Sequence, residues 1–114
     1  MSDYESSTSV ETDVNTSQKI APRWHVILLN DEEHTYEYVI ALIQDVFKKE
    51  YEQAFSLTKK IDQEGQAICT TVSKERAELY QEQVKSWGAD PLMLISGKMS
   101  TGAIACVIEP ADEE

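Results

Sequence analysis

WHVILLNDEEHTYEYVIALIQDVF, residues 24–47, changes its period halfway, and that change decides the fold. WHVILL (24–29) is a short apolar run rich in β-branched residues, which reads as a buried strand. From Thr35 onward the spacing is different. Tyr36, Val39, Ile40, Ile43, Val46 and Phe47 recur at the intervals of one helical face, with Thr35 as N-cap and Glu37 in the first turn. Between strand and helix stand Asn30, Asp31, Glu32, Glu33 and His34, an acidic mouth that solubility alone does not require.

Downstream, a second helix is expected over Tyr51–Glu64, closed by Gly65. Its apolar stripe is Tyr51, Ala54, Phe55 and Ile61, and helical spacing puts Thr58 and Asp62 on or beside that stripe. AICTTV (67–72) reads as a strand, and Ser73 caps a third helix that buries Ala77, Tyr80, Val84 and Trp87. PLMLIS and AIACVIE read as extended runs around a glycine-bounded turn, the last being the firmer strand. The order β-α-α-β-α-β gives an α+β two-layer sandwich: a three-stranded antiparallel sheet, three helices on one face, and a fourth edge strand over 92–95 as an option.

Residues 1–22 are rich in Ser, Thr and acids and are expected to form a flexible arm, with residues 23–111 as the domain and 112–114 as a solvated tail. Ten basic residues against 21 acidic ones give a net charge of −11, which argues against nucleic-acid binding. The two cysteines lie inside apolar segments with no CxxC, so buried reduced thiols are expected and a zinc site is not. The sequence has no 18-residue apolar run and no signal-like start, so a cytoplasmic location without membrane insertion is the expectation. A monomer without cofactor or metal is expected.

The acidic mouth has a chemical reading. If the first two helices form an antiparallel hairpin, the start of one neighbours the end of the other. Asn30, Asp31 and Asp62 then converge beside Tyr36, Val39, Thr58 and Ile61. An apolar hole with oxygen acceptors on its rim suits a cation attached to an apolar group, as in the N-terminal residue of a peptide. Each charged hydrogen bond is worth about 1.5–3 kcal/mol, and burying a Leu- or Phe-sized side chain contributes about as much. Set against immobilisation, that supports about micromolar binding. Blander readings stand beside it. Asn30 and Asp31 can cap a turn, Asp62 can pair with Lys59, and Glu32 and Glu33 can be merely solvated. A metal at His34 matches no known spacing, and a catalytic role lacks a nucleophile or oxyanion donor, so no enzyme activity is expected.

WHVILLNDEEHTYEYVIALIQDVF, with EQAFSLTKKIDQEGQAICTTVSKERAE (52–78) and CVIEPA (106–111), resembles the ClpS adaptor family. The resemblance implies the fold derived above, shared with the C-terminal domain of the ribosomal stalk protein. It implies an adaptor that binds N-degrons with a bulky hydrophobic first residue and delivers them to a ClpA- or ClpC-like AAA+ unfoldase, helped by the N-terminal arm. By position, Asn30 and Asp31 match the pair that contacts the α-amino group, and Asp62 stands where the family has a histidine. Val39, Thr58, Ile61 and Ile104 match pocket walls, and Tyr36 takes the place of a gating methionine. His34, counted with the side-chain pocket, and Thr35 replace a small or hydroxylated residue and a proline. Glu75 and Glu78 fall where the family docks its unfoldase, although Tyr80 replaces a usual lysine, and Ala89–Thr101 is an insertion. The departures leave a second reading open: a repurposed ClpS-fold module that docks on an unfoldase without binding degrons.

Overall fold

The computed structural model describes residues 22–97 and 100–111. The proposed arm, apart from Pro22, and the tail at 112–114 lie outside the described residues. Three strands, β1 (Arg23–Leu29), β2 (Gln66–Ser73) and β3 (Cys106–Pro110), form an antiparallel sheet in the order β2-β1-β3. Three helices, α1 (Tyr36–Phe47), α2 (Tyr51–Glu64) and α3 (Lys74–Lys85), complete the two-layer α+β domain.

β1 is central because it can be buried on both sides. Val26 and Leu28 join the core under the helices with Leu42, Ile43, Val46 and Val84. Ile27 alternates to the opposite face, where its cross-strand partners are Ile68 and Val107. The β1–β2 register shifts between Val26 and Ile27, so Thr70 and Ile68 face consecutive β1 residues and Cys69 is the extra residue of a bulge. Both cysteines are free. Burial pushes the Cys69 thiol up to about 12 and the Cys106 thiol up to about 11, so neither supplies a thiolate near neutral pH.

The α1–α2 hairpin turns in three residues. Lys48 closes α1 in the left-handed conformation (φ 57°), and Glu50 begins α2, its backbone N–H donating to Gln53 Oε1 at 3.3 Å. Lys48 is thus the C-cap of α1. α2 ends at Gly65 (φ 91°), whose N–H donates to Ile61 O at 2.9 Å; a side chain there would have space but a strained backbone.

Three expectations need correction. The edge strand over 92–95 does not form: Pro91–Ser96 is a 3-10 helix. Asp90 caps it by accepting from Leu92 N at 2.8 Å, and Pro91 at its start has no N–H to give a sheet. Tyr51 and Phe55 are exposed rather than part of the stripe of α2, which buries only Ala54, Thr58 and Ile61. The two rings stack on each other at 6.3 Å, and Phe55 meets the edge of Tyr36 at 6.2 Å, so aromatic contact on the surface takes the place of burial. Tyr80 and Trp87 are only partly buried against the core. Trp87 keeps its indole N–H near the surface, donating to Asp45 Oδ2 at 3.0 Å.

Candidate functional site

Two backbone bonds fix where the acidic mouth sits. As β1 ends, Leu29 N donates to Ala105 O at 3.1 Å, and Asn30 N donates to Gly65 O at 2.9 Å. The second bond ties Asn30 to the C-terminal end of α2, one turn from Asp62. The chain then turns on Asp31, whose Oδ1 accepts from Glu33 N at 3.0 Å. Thr35 ends the turn as the N-cap of α1, accepting from Tyr38 N at 3.1 Å.

The result is a cavity of about 250 Å³ lined by Asn30, Asp31, His34, Thr35, Tyr36, Val39, Thr58, Ile61, Asp62 and Ile104. Every residue expected at the amine-binding rim or the pocket wall therefore lines one cavity. It is smaller than the roughly 300–1,000 Å³ of drug-sized pockets, a scale that suits one side chain. Val39, Ile61 and Ile104 are buried apolar walls. Thr58 is equally buried, and its hydroxyl donates to Ala54 O at 2.8 Å, so its polar atom is satisfied inside α2.

The rim departs from the simplest expectation. Asp62 does not pair with Lys59; its Oδ2 accepts from the Tyr36 hydroxyl at 2.9 Å, across the two helices. That bond, with burial and the charge of Asp62 adding to it, raises the Tyr36 phenol above its usual value, so it stays a donor. The opening thus carries a phenol–carboxylate bar. On the other side, His34 Nδ1 lies 2.8 Å from Asp31 Oδ1 and 2.9 Å from Oδ2.

Residues that sequence spacing did not single out hold this rim from the insertion and from Gly102 just after it. Asp90 Oδ2 accepts from Thr35 N at 2.7 Å and from Thr35 Oγ1 at 3.0 Å. Glu33, expected to be solvated, accepts from Thr101 N at 3.2 Å and Thr101 Oγ1 at 3.1 Å. His34 Nε2 reaches Gly102 O at 2.7 Å. Aspartate immediately before proline was the available signal for a cap at Asp90; nothing local announced its second role on Thr35. Tyr38 packs behind the rim, its hydroxyl donating to Gly88 O at 2.6 Å; burial chiefly, with the charges of Asp90 and Asp31, raises its phenol.

Glu75 and Glu78 are exposed on α3 and are not among the residues lining this cavity. Among the described residues no group of three or more His, Cys, Asp or Glu is arranged to hold a metal ion, and no helix is long and apolar enough to cross a membrane.

A two-layer α+β domain with a small polar-rimmed pocket defines the class of fold, and comparison with known proteins defines the family. The model of the family described as "ATP-dependent Clp protease adaptor protein ClpS" matches residues 19–94. The ATP-dependent Clp protease adapter protein ClpS of Neisseria meningitidis is 34% identical over 82 residues, covering 72% of this chain and 77% of that protein. Its counterpart in Burkholderia thailandensis is 33% identical over 84 residues, covering 72% and 78%. A solved structure described as Agrobacterium tumefaciens ClpS2 bound to L-phenylalaninamide matches with a TM-score of 0.66 and 18% identity, over 81% of this chain and 100% of that one. The chain belongs to the ClpS family of Clp protease adaptors.

Proposed function

We propose that this protein binds the free N-terminal residue of N-degron substrates and delivers them to a ClpA- or ClpC-like unfoldase, with specificity altered by Tyr36 and Asp62. The observation carrying the reading is the single cavity that joins Asn30, Asp31 and Asp62 to the walls Val39, Thr58, Ile61 and Ile104. A peptide's first residue has the matching form: an ammonium for the rim and an apolar side chain for the hole. L-phenylalaninamide, held by the Agrobacterium relative, has that form too. The Asp31 carboxylate has one oxygen engaged by Glu33 N and both near His34, leaving lone pairs for an amine. Glu75 and Glu78, exposed on α3, are the proposed contacts to the unfoldase's N-terminal domain.

Fluorescence anisotropy with Leu-, Phe-, Tyr- and Trp-initiated peptides tests the reading. About micromolar binding of at least one is expected, and binding of none by folded protein rejects it. Tyr36→Phe sharpens the test. It keeps the ring but frees Asp62 Oδ2, so binding is expected to tighten about threefold to tenfold if the bar must open for the amine.

The same bar favours a second reading, in which the site has lost N-end recognition and the domain only docks on an unfoldase. Asp62→His separates the two. Degron binding created from nothing by that change marks the native pocket as inactive; a moderate change in existing affinity supports the adaptor.

A further inference from the structure

His34 is held at both ends by acceptors. Its side chain is 2% exposed, against 33% for Asp31. Nδ1 faces the Asp31 carboxylate at 2.8–2.9 Å, while Nε2 faces Gly102 O at 2.7 Å and Ser100 Oγ at 3.3 Å. The ring also packs on Tyr38, centroids 4.7 Å apart and tilted by 32°. We propose that His34 is the positioning residue for the amine-binding carboxylate Asp31, and that Asp90, Ser100 and Gly102 set that carboxylate through it. This rests on the N-terminus-binding reading for its consequence, not for its geometry.

The bridge has two protonation states, and the acceptors at both ends fit the ring that donates from both nitrogens. A charged imidazole donates from both nitrogens, to Asp31 and to Gly102 O. A neutral imidazole donating from Nδ1 turns a bare Nε2 lone pair toward Gly102 O at 2.7 Å, a repulsive contact, so Nε2 must then draw back from that carbonyl and needs a donor. Ser100 provides one: its Oγ accepts from Asp90 N at 3.0 Å, and its hydroxyl hydrogen can turn to Gly102 O at 3.2 Å or to Nε2. The hydroxyl thus offers the neutral ring a partner, but only with Nε2 moved off Gly102 O. Asp31 keeps its hydrogen bond in both states, but not its net charge. With the ring charged, the carboxylate's field is largely cancelled for an incoming ammonium; with the ring neutral, the full negative charge is available. Among the described residues, the other ionisable groups facing this cluster are Glu33 beside it, Asp90 through Thr35, the Tyr38 phenol and, across the cavity, Asp62.

Peptide binding is therefore expected to weaken about threefold to fivefold when the imidazole gains its second proton, read as the pH profile of peptide affinity. The chain has two histidines, and the other, His25, is bonded to Thr71 on the sheet, so His25→Gln is the control that should keep the profile. His34→Ala is expected to weaken a Leu-initiated peptide about fivefold to tenfold at pH 7 and to flatten the profile. His34→Asn, which retains a donor near the Nδ1 position, should recover most of the affinity while the profile stays flat. A second readout needs no peptide: the Asp31 carboxyl carbon, followed by NMR in the free protein, should show a step when the imidazole titrates, and His34→Asn should remove it. Full affinity with an unchanged pH profile in His34→Ala, or no imidazole-linked step at Asp31, overturns the proposal. A wild-type protein that shows the step but binds no peptide leaves the bridge standing and rejects the functional reading instead.

Discussion

A Leu-initiated peptide whose α-amine is acetylated is expected to bind at least about 100-fold more weakly than its free-amine counterpart, and Asp31→Ala is expected to cost nearly as much. The reasoning starts from the rim. Asn30, Asp31 and Asp62 line one cavity, each carries a side-chain oxygen, and an ammonium has three donors to spend on them. Hydrogen bonds with a charged partner contribute about 1.5–3 kcal/mol each, so losing two of them is worth about 3 kcal/mol or more, a factor beyond 100. Acetylation also leaves the rim oxygens desolvated against an amide that offers one donor. Asp31→Ala acts from the other side and further releases His34 from its partner. Both effects should shrink as salt is raised, because part of the attraction reaches beyond contact distance. Anisotropy titrations with both peptides, at two salt concentrations and with the variant's fold checked by circular dichroism, provide the measurement. Equal affinity for acetylated and free peptides would relocate binding to an apolar groove and remove the rim's role.

The elements were legible in the sequence wherever one local rule acted alone. The strand at 24–29, the helix from Tyr36 and the helix ending at Gly65 follow from period and caps, and the hairpin they imply brings Asp62 to Asn30 and Asp31. Short apolar runs were ambiguous. LMLI at 92–95 satisfies a strand pattern as well as a helical turn, and the deciding feature was the Asp90–Pro91 step before it. Tyr51 and Phe55 fitted the stripe of α2 by spacing, but nothing in spacing says whether a ring finds the core or another ring. What stayed hidden altogether was contact at long range. The bonds from Asp90, Ser100, Thr101 and Gly102 to Glu33, His34 and Thr35 join residues separated by 55 to 68 positions, where periodicity carries no information.

Asp90→Ala should lower the stability of the domain by about 3 kcal/mol, the largest loss expected from any single surface-loop position. Asp90 is 2% exposed, yet its carboxylate accepts three hydrogen bonds: Thr35 N and Thr35 Oγ1 on Oδ2, and Leu92 N on Oδ1. Truncation leaves buried or half-buried N–H groups without acceptors at the starts of two helical segments, each worth about 1–3 kcal/mol. For a domain of this size, about 3 kcal/mol corresponds to a fall in Tm of roughly 12–20 °C, measurable by calorimetry. Asp90→Asn discriminates charge from geometry. An amide has one acceptor oxygen, so its NH2 must face either Leu92 N or the Thr35 donors, and the variant should recover less than half of the loss. The loss should also reach the site. Thr35 caps α1 immediately before Tyr36, and an uncapped first turn would loosen the phenol that spans to Asp62. A variant that unfolds at the wild-type temperature would show that the insertion merely rests against the rim, with Thr35 served by solvent.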